Sequence, residues 1–152
     1  MKSRNTALKK KPEKPKLVLD SNVFISALVF GGKPREILDL AIKGLIEVAI
    51  SDDILEEIKA VLEGKKFQYP AKVVRALISE IEDLSDLVEP EAKIDAVPED
   101  PEDYRVLECA VESAANVIVS GDSHLLALHR FGKMSIMSPD EFLRGHRKNR
   151  RR

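Results

Sequence analysis

The chain of 152 residues contains no tryptophan, two tyrosines and a single cysteine. Cys109 alone cannot form an intramolecular disulfide, and its isolation suits a reducing compartment, so a cytoplasmic location is expected. Three scattered histidines and one cysteine leave no cluster at zinc-ligand spacing. No stretch approaches the roughly 18 consecutive apolar residues of a membrane helix. The opening residues, MKSRNTALKKKPEKPK, are basic but lack the apolar centre of a signal peptide, so neither a membrane span nor export is expected. The seven glycines build no glycine-rich phosphate loop, and no internal repeat is visible.

Net charge is nearly absent too, at −1, but that balance conceals a division. Residues 1–16 hold seven Lys/Arg and one acid, and residues 144–152 hold six Lys/Arg and no acid. The 12 basic and 25 acidic residues left in 17–143 give that segment a charge of −13. The expected organisation is a basic tail over 1–15, one folded domain over 16–143 and a basic tail over 144–152. Such tails are either solvated ends or a means of holding a polyanion near the acidic globule.

What is present, at 43% hydrophobic residues, is material for a sizeable core. Short apolar runs alternate with helical periodicity. KLVL (16–19), LIEVAIS (45–51), LVEP (87–90), VIVS (117–120) and MSIM (134–137) read as strands. Helices are expected over NVFISALVF, from Pro34 to Gly44, over DDILEEIKAVLE, over 70–84, 101–115 and 123–130, and from SPDEF onward. In the last, Ser138 and Glu141 form a capping box. The alternation predicts an α/β fold with three layers, α/β/α, around a central parallel sheet of about four to five strands.

Four acids stand where their role needs explaining. Asp20 and Asp122 directly follow strands, at the sheet edge where open parallel sheets bind ligands; each is either a helix cap or part of a site. At 100° per residue, Ile54, Leu55, Ile58, Val61 and Leu62 form one arc, Glu57 borders it and Glu56 points away. Asp103 falls within the stripe made by Leu107, Ala110, Val111 and Ala114, in a helix's first turn. Clustered carboxylates raise one another's pKa, and a hard divalent cation, Mg²⁺ or Mn²⁺, removes that conflict.

Taken in order with their flanks, these acids resemble the motifs of the PIN-domain nucleases, most closely the VapC-type toxins, over about residues 16–143. LVLDSN resembles the first motif, with Asp20 as ligand and Asn22 as its polar support. ISDDILEEIKAVL resembles the second, a Ser or Thr six residues before Glu, which selects Glu57. DPEDYRVLECA resembles the third, with Leu at +4 and Ala at +7 from Asp103. VSGDSHLL resembles the fourth, usually Thr-Gly-Asp-x-Asp-Leu, with Ser120 in the Thr position and Asp122 as ligand. His124 occupies the place where many members carry a further Asp, which removes a ligand for a second ion.

The resemblance implies an endoribonuclease in which Asp20, Glu57, Asp103 and Asp122 hold Mg²⁺ or Mn²⁺ and water attacks the RNA phosphodiester. It also implies a homodimer and inhibition by a cognate antitoxin, as the toxin of a type II toxin–antitoxin pair. Asp100 is either a solvated turn acid or a ligand through water, and Ser21 is a neighbour of Asp20 rather than a nucleophile. Lys65 and Lys66 are candidate RNA contacts; Phe67 and Tyr69 either pack the loop onto the core or stack on bases. Two other readings stay open: a PIN-like module that binds RNA or protein without cleaving, and an α/β domain phosphorylated on Asp20. The latter lacks the second acid of an Asp-x-Asp arrangement.

Overall fold

The computed structural model describes residues 14–91 and 101–150, with side chains for all of these except 101–103. The chain runs β1 (Lys16–Leu19), α1 (Ser21–Val29), α2 (Gly32–Ile42), β2 (Glu47–Ser51), α3 (Asp52–Glu63), α4 (Ala71–Leu84), β3 (Asp86–Val88), α5 (Pro101–Ser113), β4 (Val117–Val119), α6 (Ser123–Leu128), β5 (Arg130–Phe131), β6 (Met134–Met137) and α7 (Pro139–Arg150). The strands form one sheet in the order β3-β2-β1-β4-β6-β5, and helices flank it as three layers.

Five strands are parallel; β5 alone runs antiparallel, against β6. The five parallel strands match the expected four to five, and the antiparallel β5 is an addition at the edge. It arises from a hairpin with a two-residue Gly132-Lys133 loop, where Gly132 takes φ 61°. The middle strands are buried along their length: Leu17, Val18 and Leu19 in β1, Val48, Ala49 and Ile50 in β2, and Ile118 and Val119 in β4. Unbroken apolar runs of this kind belong to strands covered on both faces.

Sequence periodicity located the helices better than their buried faces. In α5 the inward residues are Val106, Leu107, Cys109, Ala110 and Ser113, whereas Val111 and Ala114 are exposed. The helix ends at Ser113 because Ala114 turns left-handed (φ 55°), so the stripe does not extend to it. In α3, Ile54, Leu55, Ile58 and Leu62 are buried and Val61 is not. Helix α2 begins at Gly32 rather than Pro34.

The capping box on α7 forms as expected: the Ser138 amide donates to Glu141 Oε1 at 2.9 Å and the Glu141 amide to Ser138 Oγ at 3.1 Å. That helix continues through the basic residues to Arg150, and Arg147 meets Glu36 of α2 at 3.2 Å. No helix among the described residues is long and apolar enough to cross a membrane.

The central strands should dominate stability. Ile118→Ala, in fully buried β4, is expected to cost about 2–5 kcal/mol in urea unfolding, whereas Leu87→Ala on the exposed edge strand should stay within about 0.5 kcal/mol.

Candidate active site

The order of the strands decides where a site can form. From β1 the chain moves outward to β2 and β3, then returns across the sheet to β4 and β6 on the other side. The reversal lies between β1 and β4, and the crevice outside their carboxyl ends is where such folds bind ligands. Leu19 pairs with Val119 at the end of this ladder, and the Asp20 amide donates to the Val119 carbonyl at 2.9 Å. The next residues on each strand are therefore Asp20 and Ser120, side by side.

Asp20 is buried, and it caps nothing in the usual way: it precedes α1, yet its side chain makes no capping bond to that helix. Its Oδ2 instead accepts from the Ser120 hydroxyl at 2.7 Å and from Asn22 Nδ2 at 3.1 Å. Asn22 Oδ1 in turn accepts from the Gly121 amide at 3.3 Å, closing a bridge between the two strand ends. Ser120, fully buried, also accepts from the Asp122 amide at 2.9 Å. Asn22 and Ser120 thus fix Asp20 and the following turn together.

Asp122 is both a helix cap and a residue of the cleft lining. Its Oδ2 caps α6 by accepting from the Leu125 amide at 3.2 Å, and the residue also lines the cleft with Asp20. Its Oδ1 lies 3.9 Å from Nδ1 of the exposed His124. Burial pushes the Asp20 carboxyl above its ordinary 3.8; the hydrogen bonds from Ser120, Ser21 and Asn22 oppose that rise, and the negative charge of Asp122 adds to it.

The cleft has a volume of about 330 Å³ and brings together Asp20, Ser21, Asn22, Glu57, Lys66 and Asp122. Glu57 is half-buried on α3 while Glu56 is exposed. The second-motif Ser51 is the N-cap of α3, its Oγ accepting from the Ile54 amide at 3.3 Å, which sets the phase that turns Glu57 toward the cleft. Lys65 is not among the lining residues. Phe67 and Tyr69 are half-buried and packed against the core. Ile25, Ser26, Phe30 and Val61 also line the cleft, and reading the sequence did not single them out for the site.

Asp103 lies in the first turn of α5, with its side chain outside the described residues, and Asp100 lies outside them altogether. Helix α5 packs on β1, β2 and β4 as the return crossover, and such helices start at the carboxyl edge of a parallel sheet. The one thiol is no nucleophile: burial drives Cys109 up to about 12, with a hydrogen bond from Ser51 opposing it.

The donors are all oxygen, which fits a hard cation and not a soft one. A buried carboxylate raised by burial and by a like charge beside it is a group that a cation would stabilise. Among the described residues, no three His, Cys, Asp or Glu side chains are gathered closely enough to hold a metal ion. Asp20 and Asp122 would thus need further carboxylates to complete a shell.

The raised pKa has a sign that can be checked. Asp20 holds its proton more tightly folded than unfolded, so folding is favoured below the ordinary 3.8 and loses that favour as pH rises through the folded value. Asp20→Asn, which keeps an acceptor for Ser120, should therefore be more stable than wild type at neutral pH in chelator. The difference should shrink toward about pH 4 in thermal melts. A variant less stable than wild type at neutral pH would contradict the assignment.

A family model for the PIN domain matches residues 16–124. An uncharacterised protein of Methanocaldococcus jannaschii is 32% identical over 142 residues, covering 86% of this chain and 90% of that protein. Two solved structures are similar at a TM-score of 0.59 each: VapBC2 from Rickettsia felis bound to a promoter DNA fragment, and DNA-bound VapBC from Salmonella typhimurium. They are 15% and 16% identical, cover 81% and 82% of this chain, and are each covered to 98%. With the match of the family model over most of the folded chain and the archaeal relative along nearly all of it, the protein belongs to the PIN-domain family.

Proposed function

We propose that this protein is a divalent-metal-dependent endoribonuclease and the toxin of a type II toxin–antitoxin pair. The observation that carries the reading is the pair Asp20 and Asp122 at the switch point of the sheet, with the Asp20 carboxylate buried and committed to no helix cap. Membership of a family of nucleases supports it, and the two similar structures are VapBC toxin–antitoxin complexes, which supports an antitoxin partner.

In this reading Asp20, Glu57, Asp103 and Asp122 hold Mg²⁺ or Mn²⁺. When bound, such a cation would supply a water of lowered pKa and a positive charge for the phosphodiester. Ser120 and Asn22 keep Asp20 in one orientation, so no reorganisation is required when substrate arrives. Capping of α6 holds Asp122 in the same way. Asp103, in the first turn of α5 with its side chain outside the described residues, is assigned the remaining carboxylate of the set. Ser21 lines the same cleft, Asp100 is kept as a candidate ligand through water although it lies outside the described residues, and Lys66 offers countercharge for the RNA backbone where the other charged lining residues are acidic.

With His124 where many relatives have an acid, a single ion is the expected occupancy. A homodimer and a cytoplasmic setting belong to the same proposal. A second reading, binding of RNA or protein without cleavage, draws support from the want of a three-carboxylate group among the described residues.

Cleavage decides between them. Protein stripped by chelator should regain RNA cleavage on addition of Mn²⁺, and Asp20→Asn should lower kcat by roughly a hundredfold or more, as expected where several kcal/mol of metal assistance are lost. An Asp20→Asn variant as active as wild type would sink the nuclease reading, and RNA binding with no Mn²⁺-dependent cleavage would favour the binding module.

A further inference from the structure

Helix α1 ends at Val29, and Phe30 leads into Gly31-Gly32, both with positive φ (82° and 65°). The amides of Phe30 and Gly31 both donate to the Ser26 carbonyl, at 2.9 and 3.0 Å, which fixes the turn. No neighbour lies within 4 Å of a Cβ placed on Gly31, so the glycine serves the backbone conformation rather than a close contact. The turn leaves Phe30 71% exposed, more than any other large hydrophobic residue among those described.

That ring has a defined place. It meets Phe67 edge-on, with centroids 6.3 Å apart and planes at 60°. Phe67 is backed by Tyr69 at 5.9 Å, and Lys66 Nζ lies 5.3 Å from the Phe67 ring centroid. Phe30, Phe67 and Lys66 line the same cleft as Asp20, Glu57 and Asp122. Among the described residues lining it, Lys66 is the single cation.

We propose that Phe30, supported by Phe67 and flanked by Lys66, is a nucleobase-stacking subsite that positions the nucleotide beside the bond presented to the carboxylates. The inference rests on the nuclease reading of the cleft and assigns its aromatic wall a role in holding substrate. A base presents a π-face whatever its identity, so an aromatic platform grips a strand without reading sequence. Lys66 complements the adjoining phosphate, where the rest of the charged lining would repel it. An exposed ring beside a cation, continuous with the carboxylates, suits a nucleotide better than a purely apolar occupant. Phe30 acts on where the strand lies, so its loss should appear in KM and binding rather than in kcat.

The test uses full-length wild type, Phe30→Ala and Phe30→Trp, with single-stranded RNA oligonucleotides carrying one abasic residue at successive positions. Cleavage with Mn²⁺ gives KM and kcat; anisotropy of the same labelled oligonucleotides in chelator gives binding. One abasic position should weaken wild type about tenfold. Phe30→Ala should weaken binding of the intact oligonucleotide by a similar factor, keep kcat within about twofold, and lose its discrimination between intact and abasic strands. Phe30→Trp should restore both, and melting temperatures should match because Phe30 is exposed.

Unchanged affinity in Phe30→Ala, or undiminished discrimination against the abasic strand, overturns the subsite and leaves the wall for a protein partner. Wild type that binds in a Phe30-dependent manner without cleaving keeps the subsite and overturns the nuclease reading. Failure of wild type both to bind any oligonucleotide in chelator and to cleave one with Mn²⁺ overturns both.

Discussion

The hydrogen bond from Ser120 to Asp20, 2.7 Å long and fully inside the protein, ties the two halves of the sheet at the point where the site forms. It exists because β1 and β4 are paired with Leu19 opposite Val119. A slip of one residue would turn every side chain of one strand to the opposite face. The buried apolar runs on both strands forbid that slip, so core packing holds the register and the register holds Asp20 against Ser120. Asn22 repeats the tie through the Gly121 amide. Function in this account is therefore a consequence of strand register, with the polar bridge as its local expression.

Much of the fold was legible because strand and helix periods differ and the chain rarely mixes them. VIV and KLVL are too short and too apolar to be amphipathic helices; Asp20 follows the second directly, and Asp122 lies three residues past the first. The hairpin strand β5 escaped because two residues carry no period; Gly132 was the available signal for its turn. The buried stripe of α5 was misplaced in two ways: the buried face takes in Val106 and Cys109 and leaves Val111 exposed, and Ala114 lies past the end of the helix with a left-handed backbone. At the site, Asp20 and Asp122 were legible from their places after strands, and Glu57 from its phase on α3. Whether Asp122 was cap or cleft residue could not be decided from spacing, since a single carboxylate has two oxygens and serves both ends. Phe30 gave no warning, because an apolar residue at a helix end looks like core until the turn after it is seen.

The electrostatics leave one tension that shapes the rest. A domain of charge −13 over residues 17–143 has an acidic cleft, whereas the RNA of the proposed function is itself a polyanion. Burial and Asp122 already raise the cost of ionising Asp20. Such an arrangement is poor for stability and serves a purpose when a cation takes up the charge, after which the same carboxylates become an asset. Under the proposed function Lys66 and the aromatic wall would then supply the attraction that the acids withhold, on one side of the cleft.

The proposed site requires acids from four separate elements to share one cation, and Asp103 is the member whose part is least explained by capping or solvation. Titration of Mn²⁺ into wild type, Asp103→Asn and the exposed neighbour control Glu56→Gln by calorimetry tests it directly. Wild type and Glu56→Gln should each bind one ion alike, with affinity lowered at least about tenfold in Asp103→Asn. Equal binding by all three proteins would contradict it.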